Sequence, residues 1–118
     1  MSDNGEKAFG ATVRRKREEL EIGLREMAKK IGVSPTYLSK VERDEFSPPA
    51  EDKVIAIANV LGCDRDELLA LAGKVSSDLT EIIRGHPREM AALLRTTKGM
   101  TADDVARLAR EVGKPKGK

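Results

Sequence analysis

Cysteine, histidine and aromatic side chains are nearly missing from this chain, whose 118 residues hold one Cys, one His, one Tyr, two Phe and no Trp. With Cys63 as the only thiol, an intramolecular disulfide and any multi-cysteine metal site are excluded. His86 precedes Pro87 at a helix start with no second His or Cys nearby, which suits a capping or exposed role rather than a metal ligand. There is no Cys/His nucleophile pair, no glycine-rich phosphate loop and no ligand cluster, so the expectation is no enzyme, no catalytic residue, no metal and no cofactor. No apolar run is long enough to span a membrane. The polar start MSDNGEKAFG lacks the apolar segment of a signal peptide, so a cytoplasmic protein without a membrane partner is expected. Strand patterns are absent as well, and abundant helix formers with few β-branched runs make all-α the natural fold class.

Charge is plentiful but nearly balanced: 36% of residues are charged and the net is only +2. From Met1 to Gly73 there are 12 basic and 14 acidic residues, and from Lys74 to Lys118 there are 10 and 6. A slightly acidic first part disfavours non-specific coating of nucleic acid. It leaves room for binding by a local basic face.

Such a face is found between Arg25 and Arg43, REMAKKIGVSPTYLSKVER. Met27, Ala28 and Ile31 share one side of a short helix, Gly32 supplies a turn position with positive φ, and Val33 returns to the core. Ser34 can cap the next helix and Pro35 suits its first position, where no N–H is needed. Leu38 and Val41 form the buried stripe. Pro35, Thr36, Ser39, Lys40 and Arg43 then face outward, with hydroxyls and positive charges spaced to meet base edges and phosphates in a DNA major groove.

Around this helix-turn-helix, Met1 to Glu6 reads as a mobile arm. A first helix follows from about Lys7 to Leu20, with Phe9, Val13 and Leu20 facing inward. Its basic run Arg14 to Arg17 is read mainly as a solvated face. Gly23 precedes the second helix, Leu24 to Ile31, and the third runs from Pro35 to about Arg43. After DEFSPP, Glu51 to Leu61 puts Val54, Ile57, Ala58 and Leu61 on one side, and Gly62 ends it. Asp64 with Glu67 starts a fifth helix through Ala72, closed by Gly73. Cys63 is expected as a buried, inert thiol. Beyond Gly73, three more stripes recur: Leu79, Ile82 and Ile83; Met90, Leu93, Leu94 and Thr97; and Val105, Leu108, Ala109 and Val112. Thr101 caps the last, with Asp103 and Asp104 in its first turn. Helices this short need a partner surface, so these stripes bury against each other, the first domain or a second chain. The tail GKPKGK is basic and reads as disordered.

Residues from about Phe9 to Gly73 resemble the lambda-repressor-like helix-turn-helix family, the Cro and phage-repressor or XRE type. The resemblance is carried by Arg14 and Arg17, MAKKIGVS at Met27 to Ser34, YLSKVER at Tyr37 to Arg43, the proline pair before the fourth helix, and ANVLGCDRDELL at Ala58 to Leu69. It implies a five-helix domain in which Thr36, Ser39 and Lys40 contact bases, with Pro35 offering apolar contact. Ser34, Tyr37 and Arg43 would touch the phosphate backbone or brace the helix against it, and Arg17 would bridge to Glu42 as a structural pair. Leu24 stands where the family often has a phosphate-binding glutamine, and the neighbouring Arg25 can take that phosphate. Asp44 stands where glycine is common, and with Glu45 it makes an acidic loop expected to turn away from DNA or to meet a partner. The part from LLALAGKV onward resembles, less specifically, helical extensions of bacterial and mobile-element regulators.

The expectation is therefore a DNA-binding domain over residues 1–73 and a helical dimerisation or partner-binding extension with a basic tail over 74–118. The function expected is sequence-specific repression of transcription by a homodimer on an inverted-repeat operator in double-stranded DNA. Leu79, Ile82, Ile83, Met90, Leu93, Leu94, Val105 and Leu108 would make the dimer. The alternatives are an antitoxin whose C-terminal helices neutralise a partner protein, and an interaction module that no longer binds DNA.

Overall fold

The computed structural model describes residues 5–113, and the regular elements among them are all α-helices: α1 (Gly5–Glu19), α2 (Leu24–Ile31), α3 (Pro35–Glu42), α4 (Glu51–Leu61), α5 (Arg65–Leu71), α6 (Ser77–Gly85), α7 (Pro87–Thr96) and α8 (Ala102–Val112). Helices α2 to α5 and α8 begin or end where a side chain or a glycine supplies what the helical backbone lacks. Gly32 and Gly62 close α2 and α4 in the left-handed conformation, at φ 77° and 70°. Ser34 Oγ accepts the Tyr37 N–H at 3.0 Å and Asp64 accepts the Glu67 N–H at 3.0 Å, so α3 and α5 both start on a side-chain cap. Thr101 and Asp104 form a reciprocal capping box at α8.

The chain divides between Ser77 and Asp78 into two compact units. In the first, α1 to α5 surround one core made of Phe9 and Val13, Met27, Ala28 and Ile31, Leu38 and Val41, Val54, Ile57, Ala58 and Leu61, and Leu68, Leu69 and Ala72. Full burial of a Val, Leu, Ile, Phe or Met side chain stabilises by roughly 1.5–3 kcal/mol, so this cluster is the main force holding α3 in place. Lys53 extends across it to donate to the Ile31 carbonyl at 3.0 Å, satisfying one of the orphan acceptors at the end of α2. The segment after Gly73 stays with this unit. Ser76 is buried, and the Ser77 N–H and hydroxyl both donate to the Glu51 carboxylate, at 3.1 and 3.2 Å.

Three local expectations are corrected. Helix α1 begins at Gly5, inside the expected arm, and ends at Glu19. Leu20 therefore lies in the following turn and is 51% exposed, because Glu21 takes φ 58° and redirects the chain. Ile22 packs against the core instead. Cys63 is half-buried against the core edge rather than fully enclosed.

In the second unit, α6 to α8 are amphipathic, and none of their residues is buried. Among the described residues no helix is long and apolar enough to cross a membrane. The start of the expected arm and the basic tail beyond Gly113 lie outside the described residues.

Candidate nucleic-acid interface

The outward face of α3 depends on how α1 and α2 hold that helix. Arg17 on α1 grips Glu42 on α3 with two bonds, Nε to Oε2 at 2.7 Å and Nη2 to Oε1 at 2.9 Å, and its Nη1 donates to the Ile22 carbonyl at 2.8 Å. Both side chains are buried. The bond to Glu42 raises the Arg17 pKa above its ordinary value, so the guanidinium stays charged inside the unit. This is the pair implied by the family resemblance, and its geometry is bidentate. Beside it, α1 and α3 approach closely enough that a Cβ at Gly10 would sit 2.5 Å from the Val41 carbonyl oxygen and 2.9 Å from that of Glu42. Glycine at this helical position is a packing requirement that the periodicity of α1 did not reveal.

With α3 fixed, Thr36 and Arg43 are exposed, while Pro35, Tyr37, Ser39 and Lys40 are half-exposed. Pro35, Thr36, Ser39 and Arg43 line one shallow concavity together with Leu24 and Arg25 of α2. Arg25 thus stands at the N-terminal end of α2 beside the α3 face, where helix N–H groups favour an anion. Leu24 packs partly against the core and contributes an apolar floor. A neighbouring concavity adds Arg14 and extends the surface towards α1. Arg14 pairs with Glu18 on its own helix, at 3.1 Å, with both side chains more than half exposed.

Ser34 and Tyr37 serve the helix itself. Ser34 is its cap, and the Tyr37 ring packs against the core edge and the Phe46 ring, with centroids 5.7 Å apart. Phe46 is 45% exposed and carries no periodic signal in the sequence, since it sits in the loop before the proline pair.

The C-terminal end of α3 is closed by a Schellman turn. Asp44 takes φ 63° in the position glycine usually fills, its N–H bonds to the Val41 carbonyl at 3.1 Å, and the Glu45 N–H bonds to the Lys40 carbonyl at 2.9 Å. The acidic loop is consequently not turned away from the face: Glu45 folds back over it. Arg43 Nε meets Glu45 Oε2 at 2.9 Å, Lys40 Nζ lies 3.5 Å from Oε1, and Arg43 Nη1 donates to Ser39 Oγ at 2.6 Å. The hydrogen bond from Arg43, with the charges of Arg43 and Lys40, holds the Glu45 carboxyl below the usual range, and the same bond raises Arg43.

In the second unit, Leu79, Ile82, Leu93, Leu94 and Val105 are exposed, and Ile83, Met90 and Leu108 are half-buried. All eight candidate dimerisation residues therefore keep surface that the unit itself does not cover.

Two helices joined at Gly32, the second capped by Ser34 and held by a buried bridge, define a helix-turn-helix domain. Residues 13–68 match the helix-turn-helix family, and over these residues the chain is a helix-turn-helix domain similar to the lambda-repressor-like transcriptional regulators. It is similar to uncharacterized HTH-type transcriptional regulators of Mycobacterium tuberculosis strains CDC 1551 and H37Rv, each 33% identical over 75 residues that cover 64% of this chain and 53% of theirs. The chain thus spans about half the length of these curated relatives. Among solved structures it resembles the clp gene regulator ClgR from Corynebacterium glutamicum, at 29% identity over 61% of this chain and 92% of that one, with a TM-score of 0.52. A second ClgR structure matches 82% of this chain and 97% of that one at 24% identity and a TM-score of 0.54, a likeness of fold alone.

Proposed function

We propose that this chain binds a specific double-stranded DNA sequence in the cytoplasm through α3 and represses transcription as a homodimer on an inverted repeat. The observation that carries the reading is the α3 face itself. Thr36, Ser39, Lys40 and Arg43 lie on the side opposite Leu38 and Val41 of an element locked by the core and by Arg17–Glu42, with Arg25 of α2 beside them. Thr36, Ser39 and Lys40, with Pro35 in apolar contact, meet bases; Arg25, Ser34, Tyr37 and Arg43 meet or brace the phosphate backbone. The similarity to ClgR, a clp gene regulator, supports a role in transcription.

A single such helix reads few base pairs. Two copies related by a two-fold axis set their recognition helices about 34 Å apart, one turn of DNA, and read a palindrome together. What supports the second unit as the dimer element is the exposure of its apolar stripes, including Ile82 at 53% and Leu94 at 50%. The same exposure favours a second reading, in which these helices hold a different protein, as an antitoxin would. Selection of bound duplexes from a random pool, followed by sedimentation of the protein alone, tests both readings. A palindromic motif with a dimeric protein supports the repressor. A monomer at high concentration moves the antitoxin ahead, and no enriched motif removes sequence-specific binding.

A further inference from the structure

The Glu45 carboxylate lies against two cations of the candidate interface, Lys40 at 3.5 Å and Arg43 at 2.9 Å. Three residues of the candidate interface, Ser39, Lys40 and Arg43, already have an internal partner in the free protein, and two of the partnerships run through the Glu45 carboxylate. The main chain that carries this carboxylate is fixed: Glu45 and Phe46 N–H both bond to the Lys40 carbonyl, at 2.9 and 3.3 Å. The Phe46 ring anchors the loop against Tyr37, with the Lys40 ammonium 5.7 Å from its centroid. Asp44, one residue earlier, carries the same charge but points elsewhere, with Oδ1 near the α1 backbone at Gly10.

We propose that Glu45 is an internal competitor for DNA, occupying Arg43 and Lys40 until the duplex displaces it and thereby weakening binding. This rests on the reading of α3 as the DNA-contacting helix. Displacement leaves the carboxylate beside the polyanion, where it recruits a cation from solution. That uptake offsets part of the counterion release that drives protein–DNA association. The consequence is a protein held more weakly by bulk DNA than its cationic face alone would allow.

The test uses the 118-residue chain and a labelled duplex of random sequence, titrated at several salt concentrations by fluorescence anisotropy. Glu45→Gln keeps the side-chain size and should bind roughly three- to tenfold more tightly at low salt, the range expected from losing two exposed ion pairs. Its logarithmic salt dependence should steepen by up to about 0.9, one counterion's worth. Asp44→Asn removes the same charge one residue away, in a conformation asparagine tolerates, and should give a smaller gain with no change in slope. Equal gains from both variants would reduce the effect to net charge and overturn the proposal, as would a Glu45→Gln protein with unaltered affinity and slope. Arg43→Ala separates the two levels. If it weakens binding while Glu45→Gln changes nothing, the competitor role alone fails; if it binds like the wild type, the DNA reading of this end of α3 fails with it.

Discussion

Substituting Gly10 by alanine sets two well-known effects against each other, and their signs differ. Gly10 lies within α1, where helix propensity alone makes alanine the better residue by about 0.8–1.0 kcal/mol. The added Cβ, however, would lie 2.5 Å from the Val41 oxygen, 2.9 Å from the Glu42 oxygen and 2.6 Å from Asp44 Oδ1. The Asp44 side chain can rotate away; the two carbonyls belong to the last turn of α3 and can yield only if the helices part. Ordinary contact begins near 3.4 Å, so the gap to be opened is about 0.9 Å. That displacement loosens the Phe9 and Val13 packing and stretches the Arg17–Glu42 bonds. Overpacking costs about 1–3 kcal/mol, and a clash with two backbone oxygens falls in the upper part of that range, so after the propensity gain a net loss of about 1–2 kcal/mol is expected. Urea unfolding followed by far-ultraviolet circular dichroism measures it, and a thermal midpoint should fall by about 4–8 °C per kcal/mol. A variant as stable as the wild type, or more stable, would refute the close-approach argument.

The other predictions concern single features of the fold. Arg17→Met should cost about 3–5 kcal/mol by stranding a buried carboxylate, and the double change with Glu42→Leu should recover most of it in the same unfolding assay. Asp44→Gly should stabilise by about 1 kcal/mol, because glycine relieves the left-handed strain at φ 63°. Charges at Leu93 and Leu94, both exposed, should leave the far-ultraviolet spectrum unchanged but shift sedimentation from dimer to monomer; unaltered sedimentation would remove these residues from the dimer interface. Cys63→Val should fold and bind DNA as the wild type does, under oxidising and reducing conditions alike, since this half-buried thiol packs at the core edge.

Where apolar spacing, capping residues and glycine coincided, the fold could be read from the chain. Helices α2 and α4 fall on the expected residues, and Ser34, Asp64 and Thr101 cap as their positions suggested. The all-α class followed from composition, and the family from segments spread over the whole first unit. What periodicity could not convey were contacts that depend on distance between elements. Gly10 looks like a mild defect in a helical pattern until α3 is set against it. Lys53 looks like a solvated charge until its ammonium is seen capping α2. Leu20 continues the apolar stripe of α1 in spacing but lies one residue past the helix end, where Glu21 turns the chain with positive φ. The α3 face was legible in its residue types, but the position of Glu45 was not. Two adjacent carboxylates after a helix suggest a loop that avoids DNA, and only the Schellman turn folds one of them back onto Arg43 and Lys40.

The central claim is that the exposed side of α3 reads base sequence, and the most direct measurement compares Lys40→Ala with the wild type on the best duplex from the selection and on a scrambled duplex of equal length. Lys40 is expected to contact a base edge, so its removal should lower the ratio of the two affinities by the equivalent of about 1–3 kcal/mol. Arg43→Ala, removing a phosphate contact, should weaken both duplexes by the same factor. An unchanged ratio for Lys40→Ala, alongside an unchanged ratio for Thr36→Ala, would contradict the assignment of this face to sequence recognition.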